Sequence, residues 1–202
     1  IDLRRSAALR NVFQKHHITA VIHFAGFKAV GESVAQPLPY YENNIQGTIS
    51  LLKVMAERGV KKIIFSSSAS VYGEPTLVPI KENCPTAPTN PYARSKLIIE
   101  QLLQDMYVAD PSWQIILLRY FNPAGAHPST IIGEMPLGQP SNLVPVITQT
   151  AIGKIKKMTV FGTDYDTRDG SCIRDFIHVC DLAHAHTLAL KYLEQNKNKS
   201  LS

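Results

Sequence analysis

Tyr92 and Lys96 lie four residues apart in a stretch that begins with Asn90 and Pro91. Asparagine caps the first N–H groups of a helix, and the fixed φ of proline suits its first turn, so a helix is predicted to begin here. Residues four apart on a helix share one face. An ammonium beside a phenol, whose ordinary pKa is about 10, favours the phenolate, so this pair predicts a general base. Taken alone, the spacing also fits a half-buried tyrosine beside a solvated lysine.

Three apolar stretches predict the strands that would support this helix. Continuous apolar runs of such length are typical of parallel strands covered on both faces. These runs are residues 19–24, 61–65 and 114–120, and helices are predicted over residues 7–16, 37–58 and 92–110. Alternation of strands with helices indicates right-handed βαβ units on a parallel sheet, so the predicted fold class is α/β.

The residues that follow these strands are expected to share one crevice. Gly26, Ser68 and Phe121 each come after a predicted strand, and Ser68 belongs to a serine-rich run over residues 66–70. Ligands of parallel α/β sheets bind beyond the carboxyl ends of the strands. The sequence therefore predicts a binding site at this edge, where Gly26 lets a ligand approach the backbone.

The pattern changes after Asn122. We predict a loop over residues 123–140, a helix over 142–153, short strands over 158–161 and 176–179, and a last helix to about residue 194. Asp181 is predicted to be the N-cap of that last helix.

Composition excludes several functional classes. The 202 residues carry a net charge of +5 from widely spread residues, and the local basic cluster of Lys154, Lys156 and Lys157 is too small to indicate nucleic-acid binding. No apolar run approaches the ~20 residues of a membrane span. We therefore expect neither nucleic acid nor membrane as a partner.

Cysteines and histidines do not form a metal pattern. Cys84, Cys172 and Cys180 are odd in number and lack C-x-x-C spacing, which fits a reducing, cytoplasmic location. His184 and His186 are two residues apart and would point about 200° from each other on a helix. No metal is expected.

The ordered motifs resemble the extended branch of the short-chain dehydrogenase/reductase family, which acts on nucleotide sugars, and more narrowly the UDP-glucose 4-epimerase family. The segments that carry the resemblance are residues 23–33, 66–73, 90–96, 119–127 and 174–178. The resemblance implies an incomplete Rossmann-like NAD-binding domain over residues 1–122. It also implies an incomplete UDP-sugar-binding domain over 123–202, whose last helix could pack back on the first domain.

The resemblance also implies a mechanism. Tyr92 would take the proton of the sugar 4-hydroxyl, Lys96 would hold the nicotinamide ribose and lower the pKa of the tyrosine, and Ser68 would hydrogen-bond the reacting oxygen. A 4-keto intermediate would turn over before hydride returns from the bound NAD, which interconverts UDP-glucose and UDP-galactose.

Further contacts follow from the same resemblance. The cofactor side would add Asp2, Leu3, Phe24, Ala25, Gly26, Lys28, Asn43, Tyr120 and Phe121 to the catalytic residues. The substrate side would add Asn122, Asn142, Leu143, Phe161 and Arg174 to Ser68 and Tyr92. A guanidinium such as that of Arg174 suits a diphosphate. A homodimer formed by the helices over 37–58 and 92–110 is expected.

The chain departs from the family pattern in several places. No G-x-x-G-x-x-G turn is present and the sequence begins at Ile1, so we expect part of a longer protein that by itself binds NAD poorly. Ser141 stands where an asparagine is usual, and Arg168 where an acid is common. Ser68, Ala69 and Ser70 replace the Asp-Glu pair of the related 4,6-dehydratases, which argues against dehydration.

Two alternatives stay open at this point. The first is epimerisation of another UDP-sugar, such as an N-acetylated or glucuronate form. The second is a truncated, non-catalytic homologue that acts as a binding module. The intact set of Ser68, Tyr92 and Lys96 weighs against the second.

Overall fold

The computed structural model of the chain describes residues 1–136, 138 and 140–195. The chain divides into two compact units. The first unit contains residues 1–120 together with the segment that begins at His186, and the second is Phe121–Ala185.

A parallel sheet forms the centre of the first unit. Among the described residues its strands are β1 (Val21–His23), β2 (Lys62–Ser66) and β3 (Gln114–Leu118), in that spatial order. Ile63 of β2 lies opposite Val21 on one side and Ile115 on the other. This arrangement confirms the predicted α/β class with a parallel sheet.

Helices connect and cover these strands. They are α1 (Ser6–Lys15), α2 (Val30–Ala35), α3 (Pro37–Tyr40), α4 (Gly47–Glu57) and α5 (Pro91–Ala109). The helix predicted over 37–58 is a continuous helical run in which a π-helical segment, Tyr41–Gln46, joins α3 to α4. Gly59, at φ +69°, ends this run as predicted, because glycine adopts the left-handed conformation without steric cost. The short helix α2 was not predicted.

The apolar side chains of β2 alternate between two cores. Ile63 and Phe65 face one core, which Met55 of α4 and Leu103 of α5 complete. Ile64 faces the other way, onto the last helix, α7 (Val179–Gln195), where it packs with Leu193. Both faces of the strand are therefore covered, which explains its continuous apolar sequence.

The second unit holds a small parallel pair of strands. These are β4 (Asn122–Ala124) and β5 (Phe176–His178), and α6 (Leu143–Ala151) lies between them in the sequence. Pro123 concealed β4 from sequence analysis, because proline removes a backbone donor and is confined to edge positions of sheets.

Two predictions for this region were wrong. Residues 158–161 form no strand: they have no strand partner among the described residues, and Phe161 is 85% exposed. Asp181 does not cap α7, because β5 runs directly into a helix that begins at Val179 and leaves Asp181 in its first turn. In the part of the chain that the structure describes, no helix is both long and apolar enough to cross a bilayer.

Candidate active site

Helix α5 begins as its sequence predicts. The Asn90 side chain accepts a 2.9 Å hydrogen bond from the N–H of Ala93, and Pro91 occupies the first turn. The N–H of Tyr92 donates to Ser33 Oγ of α2 at 3.2 Å. These contacts fix the end of α5 that carries the proposed base.

Lys96 is buried against the end of β2. Its side-chain ammonium donates a 2.7 Å hydrogen bond to the carbonyl oxygen of Ser66. Nζ lies 5.9 Å from the centre of the Tyr92 ring and 4.9 Å from that of Phe65. Burial lowers the pKa of Lys96 to about 8, although the carboxylate of Glu100 opposes this shift. Burial of Lys96 on the helix therefore disfavours its protonated, charged form.

The pKa of Tyr92 differs from our expectation. Burial raises it, a hydrogen bond from Ser68 works against that rise, and Tyr120 adds to it. We expected Lys96 to lower the pKa of Tyr92. Its ammonium instead bonds the Ser66 carbonyl, and desolvation of the phenolate dominates the pKa. In this arrangement the phenol is protonated at neutral pH.

The serine run supplies hydroxyls with separate partners. Ser68 Oγ accepts a 2.8 Å hydrogen bond from Ser70 Oγ and a 3.2 Å hydrogen bond from the N–H of Ser70. With its lone pairs so engaged, the Ser68 hydroxyl can donate its own proton onward, and its interaction with Tyr92 favours the phenolate. Ser66 Oγ is hydrogen-bonded to the phenol of Tyr120. The sequence pointed to Ser68 but gave no sign of the contacts made by Ser66 and Ser70.

The loop after β1 carries four of the predicted cofactor residues. Phe24, Ala25, Gly26 and Lys28 all lie in it. A Cβ added to Gly26 would come within 3.2 Å of the side-chain oxygen of Asn44. The loop is thus packed closely against the π-helical segment, and Gly26 itself is exposed, so a ligand can approach its backbone.

Asn44, which sequence analysis missed, fixes this loop. Its amide accepts from the N–H of Phe27 at 2.7 Å and donates to the carbonyl of Phe27 at 3.1 Å and to Ser95 Oγ at 3.1 Å. Ser95 in turn donates to the carbonyl of Tyr92 at 2.7 Å. The predicted neighbour, Asn43, donates to the Asn44 oxygen at 3.0 Å. The only sequence signal was a polar residue at a core position of an apolar helix pattern.

Aromatic rings lie beside the loop. The Phe24 ring is centred 4.5 Å from that of His186, which is also 6.0 Å from Tyr120. Phe24 is 55% exposed, so one face of this group is open to a planar ligand.

His23 is a buried neutral histidine. Its Nε2 lies 2.8 Å from Thr48 Oγ1, which itself donates to the carbonyl of Asn44 at 2.6 Å, so Nε2 carries the proton. Burial, with a further contribution from Lys96, lowers its pKa to about 4.

Asp2 and Leu3 lie at the beginning of the chain. The Asp2 carboxylate pairs with Arg4 at 2.7 Å, and these hydrogen bonds lower its pKa to about 2. Leu3 packs against the larger core. The Asp2 carboxylate is therefore paired with a residue close by in the sequence.

The remaining predicted residues belong to the second unit. Asn122, in β4, donates from its side chain to the carbonyl of Asp175 at 2.8 Å, next to Arg174. Asn142 is at the N-cap position of α6, which Leu143 begins. Phe121 is 37% exposed and Phe161 85% exposed. The β4–β5 pairing places Asn122 opposite Phe176, two residues after Arg174, whereas Phe161 lies in the irregular segment between α6 and β5.

Comparison with known families decides the identity of the fold. Residues 1–201 match the model of the NAD dependent epimerase/dehydratase family. The chain belongs to this family. The resemblance drawn from the motifs is therefore confirmed, and so is the Rossmann-like fold.

Individual members of the epimerase/dehydratase family are closely similar. UDP-glucose 4-epimerase 2 of Arabidopsis thaliana is 56% identical over 197 residues, which are 98% of this chain and 56% of the relative. The crystal structure of UDP-glucose 4-epimerase from Bifidobacterium longum in complex with NAD⁺ and UDP is 53% identical with a TM-score of 0.96, covering 100% of this chain and 60% of that one.

A further neighbour is the UDP-Glc/GlcNAc 4-epimerase from Campylobacter jejuni, at 40% identity and a TM-score of 0.79. The match covers 60% of that chain and 99% of this one. The chain thus spans 56–60% of the length of these three relatives.

Proposed function

We propose that the whole protein interconverts UDP-glucose and UDP-galactose by transient, NAD-dependent oxidation at C4 of the sugar. The observation that carries this proposal is the cluster of Ser68, Tyr92 and Lys96 at the carboxyl edge of the sheet. Support comes from the 53% identity to an epimerase solved with NAD⁺ and UDP.

The residues present suit NAD. Lys96 and Tyr92 offer an ammonium and a hydroxyl for ribose, and the exposed Gly26 would let phosphates approach its backbone. When bound, NAD supplies a hydride acceptor and donor for the sugar C4, together with a positively charged nicotinamide ring. The proposed cofactor set is completed by Asp2, Leu3, Phe24, Ala25, Lys28, Asn43, Ser68, Tyr120 and Phe121.

The chain's own groups would manage the proton. Tyr92 Oη accepts the proton of the sugar 4-hydroxyl, and Ser68 Oγ hydrogen-bonds the same oxygen and steadies its charge. The raised pKa of Tyr92 means that the phenolate needs a nearby cation, and Lys96 is the residue placed to supply one. Lys96 therefore acts by orientation and charge, without itself exchanging a proton with the sugar.

The second unit would bind the UDP-sugar. Arg174, Asn122, Asn142, Leu143 and Phe161 are the proposed contacts, of which Arg174 brings the charge that suits the diphosphate. The assignment of cofactor and substrate to residues 1–122 and 123–202 is part of the proposal.

A cytoplasmic homodimer is also proposed. Cys84, Cys172 and Cys180 are free thiols, which suits a reducing compartment. The helical run of residues 37–57 and α5 would form the dimer contact. Sedimentation that finds only monomer at micromolar concentration would contradict the homodimer.

A second candidate substrate is an N-acetylated UDP-hexosamine. The similarity to the dual UDP-Glc/GlcNAc enzyme of Campylobacter jejuni favours testing it. Purified whole protein, without added oxidant, is expected to convert UDP-galactose to UDP-glucose. Conversion of UDP-N-acetylglucosamine alone would select the second candidate, and conversion of neither would overturn both.

A further inference from the structure

A buried ion pair lies beside the candidate active site. Glu100, one helical turn beyond Lys96 on α5, has a side chain that is only 1% exposed, and that of Arg119 is 13% exposed. Arg119 Nη2 lies 2.6 Å from Glu100 Oε2, and Nε lies 3.0 Å from Oε1. Two parallel hydrogen bonds of this kind fix the mutual orientation of both groups.

The same carboxylate also holds the serine run. The hydroxyl of Ser67 donates to Glu100 Oε1. Ser67 stands between Ser66, whose carbonyl accepts from Lys96, and Ser68, whose side chain interacts with Tyr92 and favours its phenolate. One carboxylate therefore anchors the backbone that carries both contacts.

Arg119 extends the network to the segment between Ser68 and α5. Its Nη1 donates to the phenol oxygen of Tyr72 at 3.0 Å and to the carbonyl of Glu82 at 3.3 Å. The guanidinium carbon also lies 5.0 Å from the centre of the Tyr72 ring. The pair thus joins α5, the end of β2, the residue after β3, and this connecting segment.

Stability alone is a weak reason for such a pair. Two charges lose their hydration when buried, and apolar residues of similar volume often stabilise a fold as well or better. What an apolar pair cannot reproduce is the fixed set of directions that joins Ser67, Tyr72 and the Glu82 carbonyl.

We propose that Glu100 and Arg119 are positioning residues for the reaction proposed above, on which this inference rests. They fix residues 66–68 against α5, so that Lys96, Ser68 and Tyr92 keep one mutual arrangement. Neither residue touches substrate or cofactor in this role. The pair affects turnover through the mutual arrangement of Lys96, Ser68 and Tyr92.

The test compares two paired replacements in the whole protein. Glu100→Leu with Arg119→Met removes both buried charges together and leaves no unpaired charge. The matched control, Glu57→Leu with Arg10→Met, removes another bidentate pair, with distances of 2.7 and 2.8 Å, in which both side chains are about half exposed. If the first variant fails to fold, Glu100→Gln, which keeps the side-chain shape, takes its place.

The first readout does not depend on activity. Amide resonances of ¹⁵N-serine- and ¹⁵N-lysine-labelled protein are expected to move at Ser66, Ser68 and Lys96 in the buried-pair variant and to stay in place in the control. Resonances of these three residues that match the parent would overturn the positioning role even if the proposed function failed.

The second readout is the separation of kcat from KM. In the buried-pair variant we expect kcat to fall about 10²-fold, because misplacement of catalytic groups by about 1 Å has that effect, while KM stays within about threefold. Arg119→Lys keeps the charge but loses the two-pronged geometry of the guanidinium. Its kcat should lie between those of the parent and the buried-pair variant. Parent-like kcat in a folded buried-pair variant would overturn the proposal. A parent that fails to interconvert the sugars would instead overturn the proposed function.

Discussion

Lys96 donates its side-chain hydrogen bond to the carbonyl oxygen of Ser66, the last residue of the central strand β2, at 2.7 Å. This bond places the ammonium at the carboxyl edge of the sheet, where the serine run begins. The ammonium also lies 5.9 Å from the centre of the Tyr92 ring. The resting structure therefore holds the components of a base with the proton still on the tyrosine.

Lys96 should leave a signature in the pH dependence of stability. Its pKa is lowered from 10.5 to about 8 in the folded chain, so between these values the unfolded chain binds more protons. The free energy of unfolding should therefore rise with pH across this window, by on the order of 3 kcal/mol. Urea titrations at several pH values should show that Lys96→Met removes this rise. A rise of equal size in parent and variant would contradict the assignment.

His23 should govern part of the acid sensitivity. Its pKa falls from 6.5 to about 4 on folding, so the unfolded chain takes up a proton first as the pH decreases. This contribution to stability is complete above pH 6.5 and is lost as the pH falls towards 4, by on the order of 3 kcal/mol. His23→Gln, which retains a donor for Thr48, should flatten that part of the curve.

The exposed His16 offers the control for this measurement. His16→Gln should leave the acid limb of the stability curve unchanged. If both substitutions had the same effect, buried His23 would not be the source of the acid sensitivity.

Asn44→Asp should destabilise the protein although the two side chains have nearly the same shape. The amide nitrogen of Asn44 donates to the Phe27 carbonyl and to Ser95, and a carboxylate oxygen there would face an acceptor. A buried group left without its partner typically costs ~1–3 kcal/mol, and more when charged. Denaturant unfolding measures this loss. Asn43→Asp, next in the chain, should cost less because Asn43 is only partly buried.

Ser70→Ala tests the hydroxyl relay into Tyr92. Loss of the 2.8 Å bond from Ser70 Oγ leaves the longer, 3.2 Å bond from the Ser70 N–H to hold Ser68 Oγ, so the hydroxyl is less firmly oriented. We expect kcat of the whole protein to fall about tenfold, while bound NAD is retained. Ser129→Ala, at an exposed site of the second unit, is the control. Unchanged turnover in Ser70→Ala would show that Ser68 needs no orienting partner.

The elements near the site were largely predictable from local rules. The strand β2 was predicted correctly because both of its faces are buried, which gives it a continuous apolar sequence. The start of α5 was predicted correctly because Asn90 caps it, as its residue type predicts. The prediction failed at residues 158–161, where an apolar run lies exposed without a partner strand. Whether a run pairs depends on a second strand, which no local pattern specifies.

The interior of the site was less predictable for the same reason. Asn44 and Phe27 are 17 residues apart, and Glu100 and Arg119 are 19 apart. The first pairing depends on how the loop after β1 packs on the π-helical segment, and the second on how α5 packs on the sheet. The protonation of Tyr92 was predicted in the wrong direction, because helix spacing gives the proximity of Lys96 but says nothing about burial. The proximity of Lys96 led us to expect a phenolate, but the desolvation of Tyr92 favours the protonated phenol more strongly.

The most direct test is the conversion of UDP-galactose to UDP-glucose by the purified whole protein without added oxidant, compared with its Tyr92→Phe variant. We expect NAD to remain bound in both and turnover to fall by about 10²- to 10⁴-fold in the variant, the usual contribution of a general base. Tyr107→Phe, on the same helix but against the core, should retain activity. Turnover near that of the parent in Tyr92→Phe would contradict the proposed mechanism.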